Sequence, residues 1–230
     1  MRKLCIIPAR AGSKRIPRKN VKLFYGKPII VYSIEVAIKS KLFDEVMVST
    51  DDKGIEKLAL KYGASVPFFR SKKTADDYAT TFDVIEEVLE NYKSIGKVFD
   101  YTCCIYACAP FVSVKNLKLS FDKLIEQKFD TVLPIIPFGY PIQRSLKMKD
   151  YKIGFNYPEY SLSRSQDLDE IYHDAGQFYW LNTIISLEKK QLITDNSGSI
   201  VLTELEGQDI DNKIDWELAE LKYKLLKGYK

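Results

Sequence analysis

Apolar residues along this chain follow two rhythms. Short continuous runs such as "KLCIIPA", "EVMVST", "DYTCCIYAC" and "DTVLPII" read as buried strands. Between them apolar residues return every three or four positions, the spacing of a helix with one inward stripe. Pro28 suits the first turn of such a helix, with Ile30, Ile34, Ala37 and Ile38 inward. Further stripes are Ile55, Leu58, Ala59 and Tyr62, closed by Gly63, and then Phe82, Ile85, Leu89 and Tyr92. Ser113 is placed to cap a helix whose stripe is Val114, Leu117, Phe121, Leu124 and Ile125. From about Pro137 to Glu170 the rhythm breaks into prolines, tyrosines and no long stripe, which reads as an inserted dimerisation or lid element of hairpins and loops. Regular elements resume with "QFYWLN", a short helix after Thr183, "SIVLTEL", and a last helix capped by Asp215 with Trp216, Ala219, Tyr223 and Leu226 inward. Strands alternating with helices predict an α/β fold with a mostly parallel sheet. At 230 residues, one domain spanning 1–230 with an insertion at 137–170 is the natural reading.

The balance of 46% hydrophobic and 29% charged residues is that of a globular chain, and a net charge of +4 is too small to imply nucleic-acid binding by bulk electrostatics. Of the four cysteines, Cys103, Cys104 and Cys108 share one apolar stretch with the look of a core strand, and Cys5 lies in another. They read as buried thiols in a reducing compartment. A single histidine, His173, and no CxxC pair argue against zinc. No apolar run approaches the roughly 18 residues of a membrane span, and the N-terminal apolar segment is too short for a secretory signal. The expectation is a cytoplasmic protein.

One stretch changes the picture. "CIIPARAGSKRIPRKN" follows the first strand at once with Arg10, Lys14, Arg15, Arg18 and Lys19 among small residues. A loop there sits at the carboxyl end of a parallel sheet, where ligands bind in open α/β folds. Ala9, Ala11, Gly12 and Ser13 let backbone N–H groups approach an anion, and Arg10, Lys14 and Lys19 neutralise it, which suits a polyphosphate. Neither GxxxxGK[ST] nor GxGxxG is present. On these residues alone a solvated basic turn is an equal rival.

The loop "IPARAGSKRIPRKN" resembles the signature of the cytidylyltransferases that make CMP-sialic acid and related nonulosonic acids. "VMVSTDD", "ADDYATTFDVI", "RSQDLDEIYHDAGQFYW" and "QDIDNKIDWELAE" resemble further blocks of that family, in order and across almost the whole chain. The "QDL…YHDAG" block is most similar to the branch that acts on pseudaminic acid. "CIYACAP" departs from the sialic acid pattern and puts Tyr106 where a Gln commonly contacts the sugar. The resemblance implies a three-layer, Rossmann-like nucleotide-diphospho-sugar transferase fold. It implies transfer of CMP from CTP to the sugar's anomeric hydroxyl with release of pyrophosphate, dependence on Mg²⁺, and a homodimer meeting through the insertion.

It also assigns residues. The nucleotide set is Ala9, Arg10, Gly12, Ser13, Lys14, Asn20, Arg70 and Thr81, with Arg10, Lys14, Lys19 and Asp211 acting in the reaction itself. Asp209 and Asp211 match the metal-binding DxD. Residues two apart in an extended segment point to one side, so both carboxylates can reach one ion while Ile210 packs behind. Arg164, Gln166, Asp167, His173 and Tyr106 match the sugar side, where an Arg would clamp a carboxylate in two-point geometry. Bland roles stand beside these: Asn20 as a turn residue, Arg70 as a surface residue over Phe68 or Phe69, His173 and Tyr106 as structural groups; Asp77 resembles a family acid but reads equally as a helix start, and is left out of the sites. Within the class, sialic acid, legionaminic acid and Kdo are rival acceptors. A CTP- or CMP-sugar-binding regulator without turnover is the non-enzymatic rival, and RNA binding by the basic loop a weaker one.

Overall fold

The computed structural model describes residues 1–228. In chain order its elements are β1 (Lys3–Pro8), β2 (Leu23–Phe24), β3 (Lys27–Pro28), α1 (Ile29–Ser40), β4 (Glu45–Ser49), α2 (Lys53–Lys61), α3 (Thr81–Ser94), β5 (Tyr101–Ile105), α4 (Val114–Glu126) and β6 (Thr131–Pro137). Then come β7 (Leu146–Lys149), β8 (Lys152–Phe155), β9 (Tyr172–Asp174), β10 (Phe178–Asn182), α5 (Thr183–Lys189), β11 (Ser197–Val201) and α6 (Lys213–Lys227). The main sheet runs β11-β6-β10-β5-β1-β4, with β9 added alongside β6. β1 is parallel to β4 and β5, and β6 to β11, while β10 is antiparallel to β5 and β6.

Two-residue alternation sends the strand side chains to opposite faces. Cys5, Ile7, Cys103 and Trp180 join α1, α2 and α4 on one face. Leu4, Ile6, Cys104 and Leu181 join α3 on the other, with Leu187 of α5 at its edge. The result is three layers. A separate apolar cluster of Ile16, Phe24, Ile29, Phe111, Ile210, Trp216, Ala219 and Tyr223 ties the basic loop to α6 and to the segment before it.

Helix starts follow the expected chemistry, with corrections. Asp52 caps α2 by accepting from the N–H groups of Gly54 and Ile55, and Ser113 caps α4. Asp215 is not the cap of α6: Asn212 is, and Asp215 closes a capping box from the third helical position. Asp77 is no helix start either, because Thr80 and Asp83 form the capping box of α3. Pro28 stands one position before α1 rather than in its first turn, and Ile38 and Leu226 lie on exposed faces. Cys108 sits in the loop beyond β5, not in the strand.

Residues 137–170 are indeed hairpin and loops. β7 and β8 pair through a two-residue turn in which Asp150 and Tyr151 both take positive φ, 51° and 60°. That geometry matches the twist of a tight hairpin. None of the residues of this hairpin is buried. β9 was hidden in the sequence because its three residues carry no apolar alternation.

Candidate active site

The basic loop is held from beneath. Ala9 donates its N–H to Ser49 O at 2.9 Å, and Ala11 donates to Asp51 Oδ1 at 2.8 Å. Asn20, nearly buried, donates to Arg10 O at 2.9 Å and accepts from the Cys108 thiol at 3.2 Å. Arg18 turns the chain with a φ of 54°. These ties leave Gly12, Ser13 and Lys14 on the rim of a cleft of about 360 Å³ at the carboxyl ends of β1 and β5.

The opposite wall comes from the far end of the chain. Asp209 and Asp211 line the same cleft, and Ile210 between them is buried against Ile16 and Trp216. Lys19 donates to Ile210 O at 2.6 Å, and Arg15 pairs with Asp211 at 3.0 Å. Two segments about 190 residues apart are thus laced together across one cavity. The Asp209 side chain is open to solvent on one side, yet crowding within the cleft, and then the charge of Asp211, raise its pKa above the ordinary carboxylate value. A carboxylate pair held in mutual repulsion is a site for a cation.

The cations opposite are already engaged. Arg10 reaches Asp77 at 2.8 Å and Asp76 O at 2.6 Å, and Lys14 also pairs with Asp77. Hydrogen bonds from Lys14 and Arg10 hold the Asp77 carboxyl below its usual range. Arg70 is fixed by its N–H to Thr50 O at 2.9 Å and donates to Thr74 O. Its Nε is buried without a partner at the cleft wall, and burial lowers its pKa. An arginine remains charged regardless.

The predicted residues divide accordingly. Arg10, Gly12, Ser13, Lys14, Lys19 and Asn20 border one cleft, joined there by Arg70, Tyr106, Asp209 and Asp211. Ala9 is buried with its N–H committed, so it supplies room rather than a contact. Thr81 is not on the cleft wall and reaches it through Tyr106, hydroxyl to hydroxyl at 3.0 Å. Arg164, Gln166, Asp167 and His173 do not line the cleft. Arg164 forks onto Asp167 at 2.7 and 3.1 Å, and exposed His173 lies against Phe138 with ring centres 5.0 Å apart. The sequence reading missed Arg15, Cys108, Gly176 and the pairing role of Asp77. Gly176 has a φ of +62°, and a Cβ there would lie 3.6 Å from Asp209, so the turn after β9 packs closely on the acidic segment. Its signal was only a glycine in "DAGQ", indistinguishable from any turn.

Among the described residues no group of three or more His, Cys, Asp or Glu could hold a metal ion. The Asp209–Asp211 pair nevertheless fits Mg²⁺, which takes one or two carboxylates and completes its shell with water and phosphate oxygens.

Three comparisons bear on this cleft. The family model described as "Cytidylyltransferase" matches residues 4–202. The chain is 43% identical over 226 residues to the pseudaminic acid cytidylyltransferase of Campylobacter jejuni, covering 98% of this chain and 97% of that one. It is 33% identical to the CMP-N,N'-diacetyllegionaminic acid synthase of Legionella pneumophila, over 96% of this chain and 95% of that one. In fold it is similar to a solved CMP:2-keto-3-deoxy-manno-octonic acid synthetase complexed with CTP, with a TM-score of 0.71 at 16% identity, covering 99% of this chain and all of that one.

Proposed function

The chain belongs to the cytidylyltransferase family, and on that premise we propose that its cleft binds CTP and transfers CMP to the anomeric hydroxyl of pseudaminic acid, releasing pyrophosphate. It is a CTP-dependent nucleotidyltransferase acting on a nonulosonic acid. The observation that carries the reading of the cleft is the lacing of Lys19 to Ile210 and Arg15 to Asp211, which sets a cationic loop and a carboxylate pair around one cavity, while the choice of acceptor is supported by the 43% identity to a pseudaminic acid cytidylyltransferase.

Transfer between phosphates is mostly positioning and charge neutralisation. Gly12 and Ser13 let the triphosphate approach the loop, Arg10 and Lys14 turn from Asp77 to its oxygens, and Lys19 stays anchored on the acidic segment. Asp209 and Asp211 would hold Mg²⁺, which neutralises the triphosphate and the departing pyrophosphate. Arg70, with its free Nε, faces the nucleotide, and Tyr106 forms part of the sugar wall. The reading includes a homodimer joined through residues 137–170 and a cytoplasmic location, where CTP is made. No described helix is long and apolar enough to cross a membrane.

The test is pyrophosphate release from CTP and Mg²⁺ with a panel of nonulosonic acids, the product identified by mass spectrometry. Turnover with pseudaminic acid is expected. Turnover with sialic acid but none with pseudaminic acid overturns the acceptor, and tight CTP binding without turnover on any acceptor overturns the enzyme.

A further inference from the structure

The last helix carries an apolar stripe on each of two faces. Trp216, Ala219 and Tyr223 of α6 are buried in the cluster that ties the basic loop to the acidic segment. Ile214, Leu218, Leu221 and Leu225 stand 68%, 42%, 59% and 69% exposed. At about 100° of turn per residue, the two stripes lie on opposite sides of the helix. Single exposed leucines are ordinary on a protein surface. These four are spaced 4, 3 and 4 residues apart, the repeat of a coiled-coil seam, and they run from the first turn of α6 to its last. A helix that is apolar on both sides belongs between two partners, and among the described residues no element covers the outer seam.

Charge shows what fits there. One flank of the seam turns to the protein itself: Asp215 accepts from the N–H groups of Asp211 and Asn212, and Lys222 donates to Gly207 O at 2.9 Å. The other flank is open, with exposed Glu217 in the first half of the helix and exposed Lys224 in the second. Laid parallel, two copies of α6 set Glu217 against Glu217 and Lys224 against Lys224, like charge on like. Laid antiparallel about a two-fold axis between Ala219 and Glu220, Ile214 meets Leu225, Leu218 meets Leu221 and Glu217 meets Lys224, every pair occurring twice. The seam is self-complementary in that one orientation, which is the condition for a closed two-fold contact. We infer that the outer face of α6 is a self-association surface that pairs antiparallel with α6 of a second copy of this chain.

This contact uses no residue of the 137–170 element and none of the cleft wall. With 15 residues, α6 offers fewer than the roughly 20–30 a side of a standard interface, so the pairing is weak and sets in above the concentrations used for assays.

Sedimentation equilibrium tests it, by following the weight-average mass from about 5 to about 500 µM, the range in which so small an interface forms. The series is run on the wild type and on Met148→Asp, Ile153→Asp, which removes any contact made through the hairpin. In both the mass should rise by about 1.5-fold or more across the range, above whatever species is present at the lowest concentration. Leu218→Asp, Leu221→Asp should abolish the rise and leave far-UV circular dichroism unchanged, since both side chains are exposed. Glu217→Lys should weaken the association about fivefold, by replacing two attractive pairs with two repulsive ones, and Glu217→Lys, Lys224→Glu should restore it. A mass that stays flat in both backgrounds overturns the inference, as does a rise that survives Leu218→Asp, Leu221→Asp. A Glu217→Lys variant that associates like the wild type, or a charge swap that fails to restore association, overturns the antiparallel pairing. Should the hairpin variant fail to fold, the wild-type series with and without Leu218→Asp, Leu221→Asp decides alone.

Discussion

Arg10 and Lys14 converge on the carboxylate of Asp77, which occupies the position of an anion between them. Any triphosphate entering the cleft meets those cations already paired. Asp77 is exposed, and exposed ion pairs are weak and screened by solvent, so a triphosphate displaces it readily but not freely. Asp77→Asn should therefore lower the KM for CTP a few-fold, and the gain should shrink as salt is raised. A higher KM would instead make Asp77 part of the binding surface. Asp211 poses the opposite case, since here the site carboxylate is the group already paired, with the exposed Arg15 at 3.0 Å. Asp211→Ala should reduce Mg²⁺-dependent turnover on the order of 100-fold or more, the several kcal/mol that a charge-stabilising ion supplies. Far-UV circular dichroism should be unchanged, because the fold here rests on Ile210 and Trp216 rather than on the carboxylate.

At the scale of elements, β4 shows how a single charge joins three of them. Glu45 at its start accepts from Tyr92 of α3 at 2.6 Å, from Lys97 beyond that helix at 3.0 Å, and from Ser65 after α2 at 3.0 Å. Burial opposes its ionisation, yet the hydrogen bonds from Tyr92, Lys97 and Ser65 outweigh it and lower the pKa from 4.5. A carboxyl whose folded pKa is depressed contributes stability above its unfolded pKa and loses it as pH falls through the folded one. Glu45→Ala should thus lower the Tm near neutrality by about 2–6 °C, matching about 1–2 kcal/mol for a hydrogen-bonded charge. The difference should fade as pH falls through the lowered pKa of the folded state, and a pH-independent deficit would assign Glu45 a packing role. Helix caps of this local kind were legible in part: Ser113 caps α4 as its spacing predicts, whereas Asp52, which caps α2, went unread. Asp215 misled because a capping box uses two polar residues, and a single sequence does not say which stands at the cap and which at the third position. Strand order was not legible. β10 slips antiparallel between β5 and β6 because pairing across nearly 80 residues leaves no periodic trace in its own five.

The whole molecule adds what neither residue nor element supplies: the two ends of the chain become one site. That juxtaposition was readable only through ordered family blocks, since nothing in the local pattern of Arg15 or Asp211 names its partner. The same blocks were silent on placement in the insertion, where Arg164, Gln166 and Asp167 stand away from their own cleft. There Met148 is 72% exposed and Ile153 69%, on a hairpin none of whose residues is buried, and Leu162 in the loop beyond it is 96% exposed. Isolated two-stranded hairpins are marginal in water, and contiguous exposed apolar side chains mark an interface. A second copy of the chain is the partner proposed for it. Light scattering should give twice the mass of one chain, and the double variant Met148→Asp, Ile153→Asp should halve it. Kinetics then separate two ways in which pairing could matter. Should pairing carry the Arg164 segment to the neighbouring cleft, the monomeric variant loses affinity for the sugar while its KM for CTP holds. Should pairing only stabilise the hairpin, both constants stay near wild type and only thermal stability falls. A wild-type chain that scatters as a monomer at assay concentration removes the interface altogether, and the exposed apolar hairpin would then need a different partner.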